Sequence, residues 1–338
     1  MKNTNLIVNK ISTGKTRGLM FDETNKAIKN KESLVIVDNK EEYYRTFAPK
    51  LKEEGYEINV INLKDPTHSN GFNPLKYPFT LYNNNKKDLA IKIINDMAKE
   101  LTYSEEVSDP FWTNSAADYL TGLCLTLFNN AKPEEINFGS IQTMLSELDK
   151  EDSFFIDYVK SLSVISSEYI YLSATSLAPI DTKGGIISVL KTELNKYIGS
   201  EGLLNLLSNN DLDLITSNKK AIFIIGNERY SKLVNIMIDE LNTTNHKYTY
   251  IIDNADSLTK IQCLSEMLEE ASIKENKIYF VSRNIDLVKE RYGKYITDLF
   301  AEITDTLPKN INTLGNYKEY PVISINNSKY FSLKSIIK

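Results

Sequence analysis

An α/β fold, with a mainly parallel sheet covered on both faces and an all-helical insertion, is predicted by three observations. Short β-branched apolar runs recur along the chain, and most of them lead into helix-patterned sequence. Between the third and fourth runs the strand signal stops and a helical period takes over. The chain of 338 residues, 41% hydrophobic, is also long enough to bury the core such a fold needs.

The runs fall at residues 5–8, 33–37, 57–62, 221–225, 248–252 and 277–281. Each has the length of a buried strand and polar residues at both ends, which is the punctuation of βαβ units and of a doubly covered parallel sheet. In the long interval Leu89, Ile93, Ile94 and Met97 share one helical face, and Tyr119, Leu120, Leu123, Leu127 and Phe128 share another. An all-helical insertion is therefore placed at 84–180, with 1–83 and 181–338 forming the sheet domain. Asn83-Asn84-Asn85 reads as a solvated turn at the start of the insertion.

After the first strand comes Asn9-Lys10-Ile11-Ser12-Thr13-Gly14-Lys15-Thr16-Arg17, then a helical run to residue 30. A phosphate-binding loop needs backbone N–H groups turned inward, a lysine for the outer phosphates and a hydroxyl for Mg²⁺ at the helix N-terminus. Gly14, Lys15 and Thr16 supply that second half, and Asn9, Ser12, Thr13 and Arg17 complete the candidate nucleotide site. The first glycine of the usual pattern is replaced by Asn9, which tolerates left-handed backbone angles better than other non-glycine residues. The same tripeptide also fits an ordinary strand-to-helix turn. The metal needs a second ligand, an aspartate at the end of an apolar strand, and Tyr248-Thr249-Tyr250-Ile251-Ile252-Asp253 provides it. The candidate ligands are thus ATP and Mg²⁺, with Thr16 and Asp253 on the metal. Asp253 also has a plain structural reading, compatible with the first, as an N-cap opening a helix over 258–271. Asn254 follows, where a glutamate often polarises the attacking water; an amide can position that water but cannot take its proton.

Three further segments narrow the reading. Asp38-Asn39-Lys40-Glu41-Glu42 after the second strand resembles the Asp-x-Lys-x-Glu segment of TraG/TraD-type coupling proteins of type IV secretion systems. Ser69-Asn70-Gly71-Phe72-Asn73-Pro74-Leu75 resembles their Ser…Phe-Asn-Pro-Leu turn, and Asp109-Pro110-Phe111-Trp112 resembles an Asp-Pro-Phe-Trp segment of Gram-positive members. The resemblance covers most of the chain in order. It implies a RecA-like P-loop ATPase domain with an all-α inserted domain, six subunits in a ring, and partners in a conjugation or secretion apparatus that moves DNA or protein. Each segment also has a plain structural reading: Asp38 and Lys40 as a helix start, Asn73-Pro74 as a turn, and Trp112 as core of the helical domain.

Departures from the family pattern point one way. Asp253 is followed by Asn254 rather than Glu, the stretch Glu270-Ala271-Ser272-Ile273 lacks the arginine expected to reach a neighbour's nucleotide, and the next strand ends in Ser282-Arg283 rather than Gln. Arg283, Arg291 or a partner is left to supply a cation. Slow or absent hydrolysis is the expectation, with a non-hydrolysing adaptor and a soluble FtsK-like DNA pump as the alternative readings. Catalytic Asn254 is then a degenerate water-positioning site.

Composition excludes other classes. A net charge of −5 and a pI near 5.4 rule out a global basic footprint, so DNA binding by the isolated chain is expected to be weak, with Lys86-Lys87 and Lys219-Lys220 read as ordinary solvated surface. Cys124, Cys263, His68 and His246 are too few for a zinc cluster or a disulfide framework, and the two thiols read as buried in a reducing compartment. Leu6-Ile7-Val8 is too short for a signal h-region, and no run approaches the ~20 apolar residues of a bilayer crossing. The two membrane helices common ahead of the loop in this family have no counterpart in a sequence with eight residues before Asn9. The expectation is a cytosolic chain without direct membrane insertion, recruited to the membrane only through partners.

Overall fold

The computed structural model describes residues 3–8, 15–104, 107–148, 153–214, 219–300 and 302–305. Its strands are β1 Thr4–Val8, β2 Ser33–Val37, β3 Glu57–Asn62, β4 Lys220–Ile225, β5 Tyr248–Ile252, β6 Lys277–Ser282 and β7 Glu302–Asp305. All pair in parallel, in the order β3-β4-β2-β5-β6-β1-β7. The six runs expected as strands are strands to within one residue. The seventh, Glu-Ile-Thr-Asp, carries no apolar run and gave no signal.

Flanking the sheet are α1 Lys15–Lys29, α2 Glu42–Glu53, α11 Ser231–Thr243, α12 Leu264–Glu270 and α13 Ile285–Asp298; α3 Lys76–Asn83, α4 Lys87–Thr102, α5 Pro110–Asn130, α6 Phe138–Glu147, α7 Ser153–Ser161, α8 Ser167–Ser176, α9 Ile180–Ile198 and α10 Glu201–Ser208 lie between β3 and β4. Successive side chains of a strand point to opposite faces. Ile7, Ile36, Phe223 and Ile251 accordingly pack with α1 and α2, whereas Leu6, Val37, Ile224 and Phe280 pack with the rest of the helices. Connections explain the division. The chain runs from β1 through β2 to β3 in one direction across the sheet and from β4 through β7 in the other, and right-handed crossovers in opposite directions leave their helices on opposite faces.

Within the helical stretch α5 is central, apolar on nearly every side, and packed by α4, α8 and α9. Its start explains the Asp-Pro-Phe-Trp segment. Asp109 is the N-cap, its carboxylate accepting from the Phe111 N–H at 2.9 Å, and Pro110 holds the first helical position, where its missing N–H costs nothing. Trp112 lies against α9 at Gly185, where a Cβ would stand 2.6 Å from its ring, while Phe111 is half exposed. Asn83, Asn84 and Asn85 are exposed in the turn from α3 to α4, with Asn85 at φ 60°.

The open edge of β3 is covered by the segment that follows it. Asn70 accepts from Val60 N–H through Oδ1 and donates its own N–H back to the Val60 carbonyl, and Ser69 Oγ accepts from the Asn62 N–H. These bonds occupy the groups an edge strand would otherwise offer to another chain. Phe72 is buried, and Asn73 donates from Nδ2 to the Ile136 carbonyl at 2.7 Å, so the Phe-Asn-Pro-Leu turn ties the β3 edge to the segment between α5 and α6. Cys124 and Cys263 are buried free thiols. Lys86 and Lys87 are exposed as expected, but Lys220 is fully buried as the first residue of β4, so the second basic pair is not a surface pair. Among the described residues no helix is long and apolar enough to cross a membrane.

Candidate functional site

The sheet brings four strand ends to one lip. Val8 is level with Ser282, Ile252 with Phe280, and Val37 with Ile252, so the residues just beyond β1, β6, β5 and β2 stand side by side. Crossovers leave β1 and β6 in opposite directions, and so do those of β2 and β5. In open parallel sheets such divergence opens a crevice beyond the carboxyl ends, which is where ligands sit. Of the expected nucleotide-binding residues, Asn9, Ser12, Thr13 and Gly14 lie outside the described residues. Lys15, Thr16 and Arg17 are the first three residues of α1. Their backbone N–H groups belong to the N-terminus of the helix that follows β1 along the chain; their side chains lie outside the described residues.

Asp38 and Asp253 follow neighbouring strands directly and form the acidic pair of the lip. Asp38 is spent on architecture: its two carboxylate oxygens accept from the N–H groups of Glu42 and Tyr44, both at 2.9 Å, and so cap α2. Glu41 closes that turn at φ 60°. Burial pushes the Asp38 carboxyl up to about 6, against the lowering effect of those N–H groups, and the charge of Asp253 adds to the rise. Asp253 itself is half-buried at the end of β5. The helix expected to begin at 258 begins only at Leu264, with Cys263 at its N-cap position, so Asp253 does not cap it. A short 3₁₀ turn, Ala255–Ser257, intervenes.

Asn254 adopts φ 53°, ψ 48°, the left-handed region that asparagine tolerates better than glutamate. The turn it opens is held from three sides. Ser257 donates its N–H and its hydroxyl to the Asn254 carbonyl, and its Oγ accepts from Asn39 at 2.6 Å, joining this turn to the end of β2. Asp256 accepts from Ser282 Oγ at 2.8 Å and from the Arg283 N–H at 2.6 Å, joining it to the end of β6. Arg291 reaches in from α13 and donates to the carbonyls of Leu258 at 2.7 Å, Ala255 at 3.2 Å and Asp256 at 3.3 Å.

These contacts separate the two arginines that the sequence offered as cations. Arg291 is committed to backbone carbonyls of the turn. Arg283 has its Nε 3.4 Å from Asp256, yet its side chain remains 68% exposed at the lip. In the stretch expected to carry a neighbour-reaching arginine, Ala271 is fully buried while Ser272 and Ile273 are exposed. Asn39 and Asp256 were not singled out as site residues by sequence reasoning, and Arg291 was offered as a cation, not as a tie on this turn. Nothing in their local pattern marks them, since their partners lie up to 218 residues away along the chain.

A cleft of about 390 Å³ lies elsewhere, between α4, α11 and α12, and is lined by Lys92, Asp96, Glu100, Asp239 and Glu266 among others. None of the lip residues borders it. Lys92 bridges Asp96 at 3.2 Å and Glu266 at 3.5 Å there, tying α4 to α12.

Residues 12–295 match the family model described as type IV secretory system conjugative DNA transfer. Among solved structures, the unbound bacterial conjugative coupling protein TrwB is similar with a TM-score of 0.55, 13% identity, and coverage of 88% of this chain and 66% of that one. TrwB in complex with ADP and Mg²⁺ gives a TM-score of 0.55 at 13% identity, covering 88% and 68%. VirB4 of Thermoanaerobacter pseudethanolicus gives 0.54 at 13% identity, covering 93% and 80%. At this identity the likeness establishes the RecA-like P-loop NTPase fold. The chain thus spans about two thirds of the TrwB chains it resembles. No curated protein matches.

Proposed function

Because the chain belongs to the type IV secretory system conjugative DNA transfer family, we propose that it is a coupling-protein-like subunit that binds Mg-ATP at the carboxyl edge of its sheet and hydrolyses it slowly or not at all. The observation that carries this is the lip itself: β1 leads into α1, which opens with Lys15 and Thr16, and only β6 separates β1 from β5, which leads directly into Asp253. In this reading Asn9, Ser12, Thr13, Gly14, Lys15 and Arg17 hold the phosphates, and Thr16 and Asp253 hold Mg²⁺. A carboxylate and a hydroxyl are hard oxygen donors of the kind magnesium takes. A cation beside Asp253 also fits the site electrostatically, since the charge of that carboxylate already bears on Asp38. The bound nucleotide supplies binding energy and a charge that neighbouring subunits can sense; the chain's own groups orient it. DNA or protein is the cargo of the apparatus, and a ring of like or related subunits is the working form. TrwB binds ADP and Mg²⁺, which supports the choice of ligand.

A non-hydrolysing adaptor is the second reading, favoured by Asn254 in the left-handed region and by the engagement of Arg291 with three carbonyls. Calorimetric titration with ATP and Mg²⁺ tests nucleotide binding, and Lys15→Ala should abolish it. Wild type that binds nothing at millimolar nucleotide removes the first reading and leaves the adaptor.

A further inference from the structure

We propose that Arg291 and Asp256 are positioning residues for the metal ligand Asp253: together they lock the turn that fixes its backbone, so magnesium affinity at the lip is set from α13. This rests on the nucleotide reading above and goes beyond it by assigning how the metal site is held.

Pairing ends at Ile252, and beyond it the chain leaves the sheet. Asp253 is followed at once by a residue at φ 53°, a conformation less favourable than the right-handed one even where asparagine softens it. Left alone, such a turn samples other backbone states, and the carboxylate moves with it. Three carbonyls within it nevertheless converge on one guanidinium, the shortest bond at 2.7 Å. Guanidinium is planar and presents several N–H donors in a fixed fork, so three acceptors on one cation define a geometry instead of merely attracting a charge. Asp256 adds a second tie from its carboxylate to the end of β6, at 2.8 and 2.6 Å. The hydroxyl oxygen of Tyr292, the residue after Arg291, accepts from the Ile261 N–H at 3.1 Å, a few residues further along. The turn is therefore clamped between β6 and α13, and Asp253 is the residue at its root.

Outer partners that orient a metal ligand typically contribute tenfold to a hundredfold in metal affinity. The test compares nucleotide affinity with and without the metal, using a fluorescent ADP analogue in magnesium or in EDTA. Wild type should bind more tightly with magnesium than in EDTA. Arg291→Gln should lose about tenfold or more of that magnesium-dependent gain while its affinity in EDTA stays within about twofold. Arg291→Lys, which keeps the charge and three donors but not the fork, should recover part of the gain. A general loss of structure would instead weaken binding in both conditions, and circular dichroism of each variant separates that case.

Should Arg291→Gln fail to fold, hydrogen exchange on wild type decides. The amides of Ser257 and Leu258, which bond back to Asn254 and Ala255, should gain protection with Mg-ADP and not with ADP in EDTA. Equal protection in the two conditions overturns the inference. So does an Arg291→Gln protein that keeps the full magnesium gain. A wild type that binds no nucleotide in either condition overturns the nucleotide reading itself, and one that binds without any magnesium-dependent gain overturns the metal assignment to Asp253, so these failures are distinguishable from that of the clamp.

Discussion

The turnover of the wild-type chain is the sharpest expectation. Hydrolysis at such a site needs a group to align water and accept its proton, and a cation against charge developing on the γ-phosphate. A positioned base is worth about 10²–10⁴ in rate and an arginine finger about 10³–10⁵. Asn254 cannot accept a proton at neutral pH, and Arg291 is held by three carbonyls. Wild type should therefore fall at least about 10⁴-fold below an active motor of this fold.

Restoring the chemistry is constrained by geometry. Asn254→Glu puts a glutamate at φ 53°, which costs about 1 kcal/mol in backbone strain, so the variant should be slightly less stable and gain little rate alone. The missing cation cannot be placed at Ala271, which is fully buried and would sink a guanidinium into the core. Ser272, next to it and exposed, is the position that can present one to a neighbouring subunit. Asn254→Glu with Ser272→Arg should exceed Asn254→Glu by about 10²-fold or more in phosphate release where the chain assembles into rings. A wild-type turnover near one per second would refute the argument. It would mean that Arg283, exposed at the lip, or a partner subunit supplies what the turn lacks.

Three other outcomes are expected. Single-stranded DNA should bind weakly to the isolated chain at physiological salt, because the net charge is −5 and burial of Lys220 leaves only Lys219 of the second basic pair at the surface; fluorescence anisotropy showing tight binding with a steep salt slope would overturn this. Asp239 has its carboxyl pushed up to about 6 by burial and by the charge of Asp96, so its contribution to stability is fully present below about pH 4 and lost as pH rises through 6. Asp239→Asn should remove that loss and raise stability at pH 7.5 by about 1–3 kcal/mol relative to wild type, and urea midpoints at pH 4.5 and 7.5 that move in parallel for both proteins would count against it. Gly71→Ala should cost about 1–3 kcal/mol, since a Cβ there would stand 2.6 Å from the backbone carbonyl of Asn209, whereas Gly55→Asn, at φ 74° with open space around it, should cost less than about 1 kcal/mol; equal melting temperatures for the two variants would contradict the packing argument.

Much of the fold was legible because its signals are local. A buried parallel strand is a continuous apolar run with polar ends, and β2, β3 and β5 fell on their expected bounds for that reason. α5 could be read from Asp109 and Pro110, since the N-cap and the first helical position each select a residue type on their own. β7 was not legible: Glu302-Ile303-Thr304-Asp305 becomes a strand through pairing with β1, a contact that crosses nearly the whole chain. Lys220 misled for a related reason. Adjacent lysines read as surface, but strand pairing on both sides of β4 decides that the second of them is buried.

The candidate site divides along the same line, and the division bears on its chemistry. Lys15, Thr16 and Asp253 announce themselves because their roles depend on position relative to one strand end. Whether an arginine can serve as a catalytic cation depends instead on what else claims its donors, and that is settled by distant carbonyls. Arg283 and Arg291 look interchangeable in the sequence, both following β6 within nine residues. Folding spends Arg291 on the Ala255–Ser257 turn and its neighbour Leu258 while leaving Arg283 exposed beside Asp256. Arg283→Ala should consequently leave stability almost unchanged, as for an exposed side chain with a single long ion-pair contact. Any nucleotide-dependent activity that this substitution removes must then come from the lip and not from the fold, which makes Arg283 the residue whose removal most directly separates a slow ATPase from an adaptor.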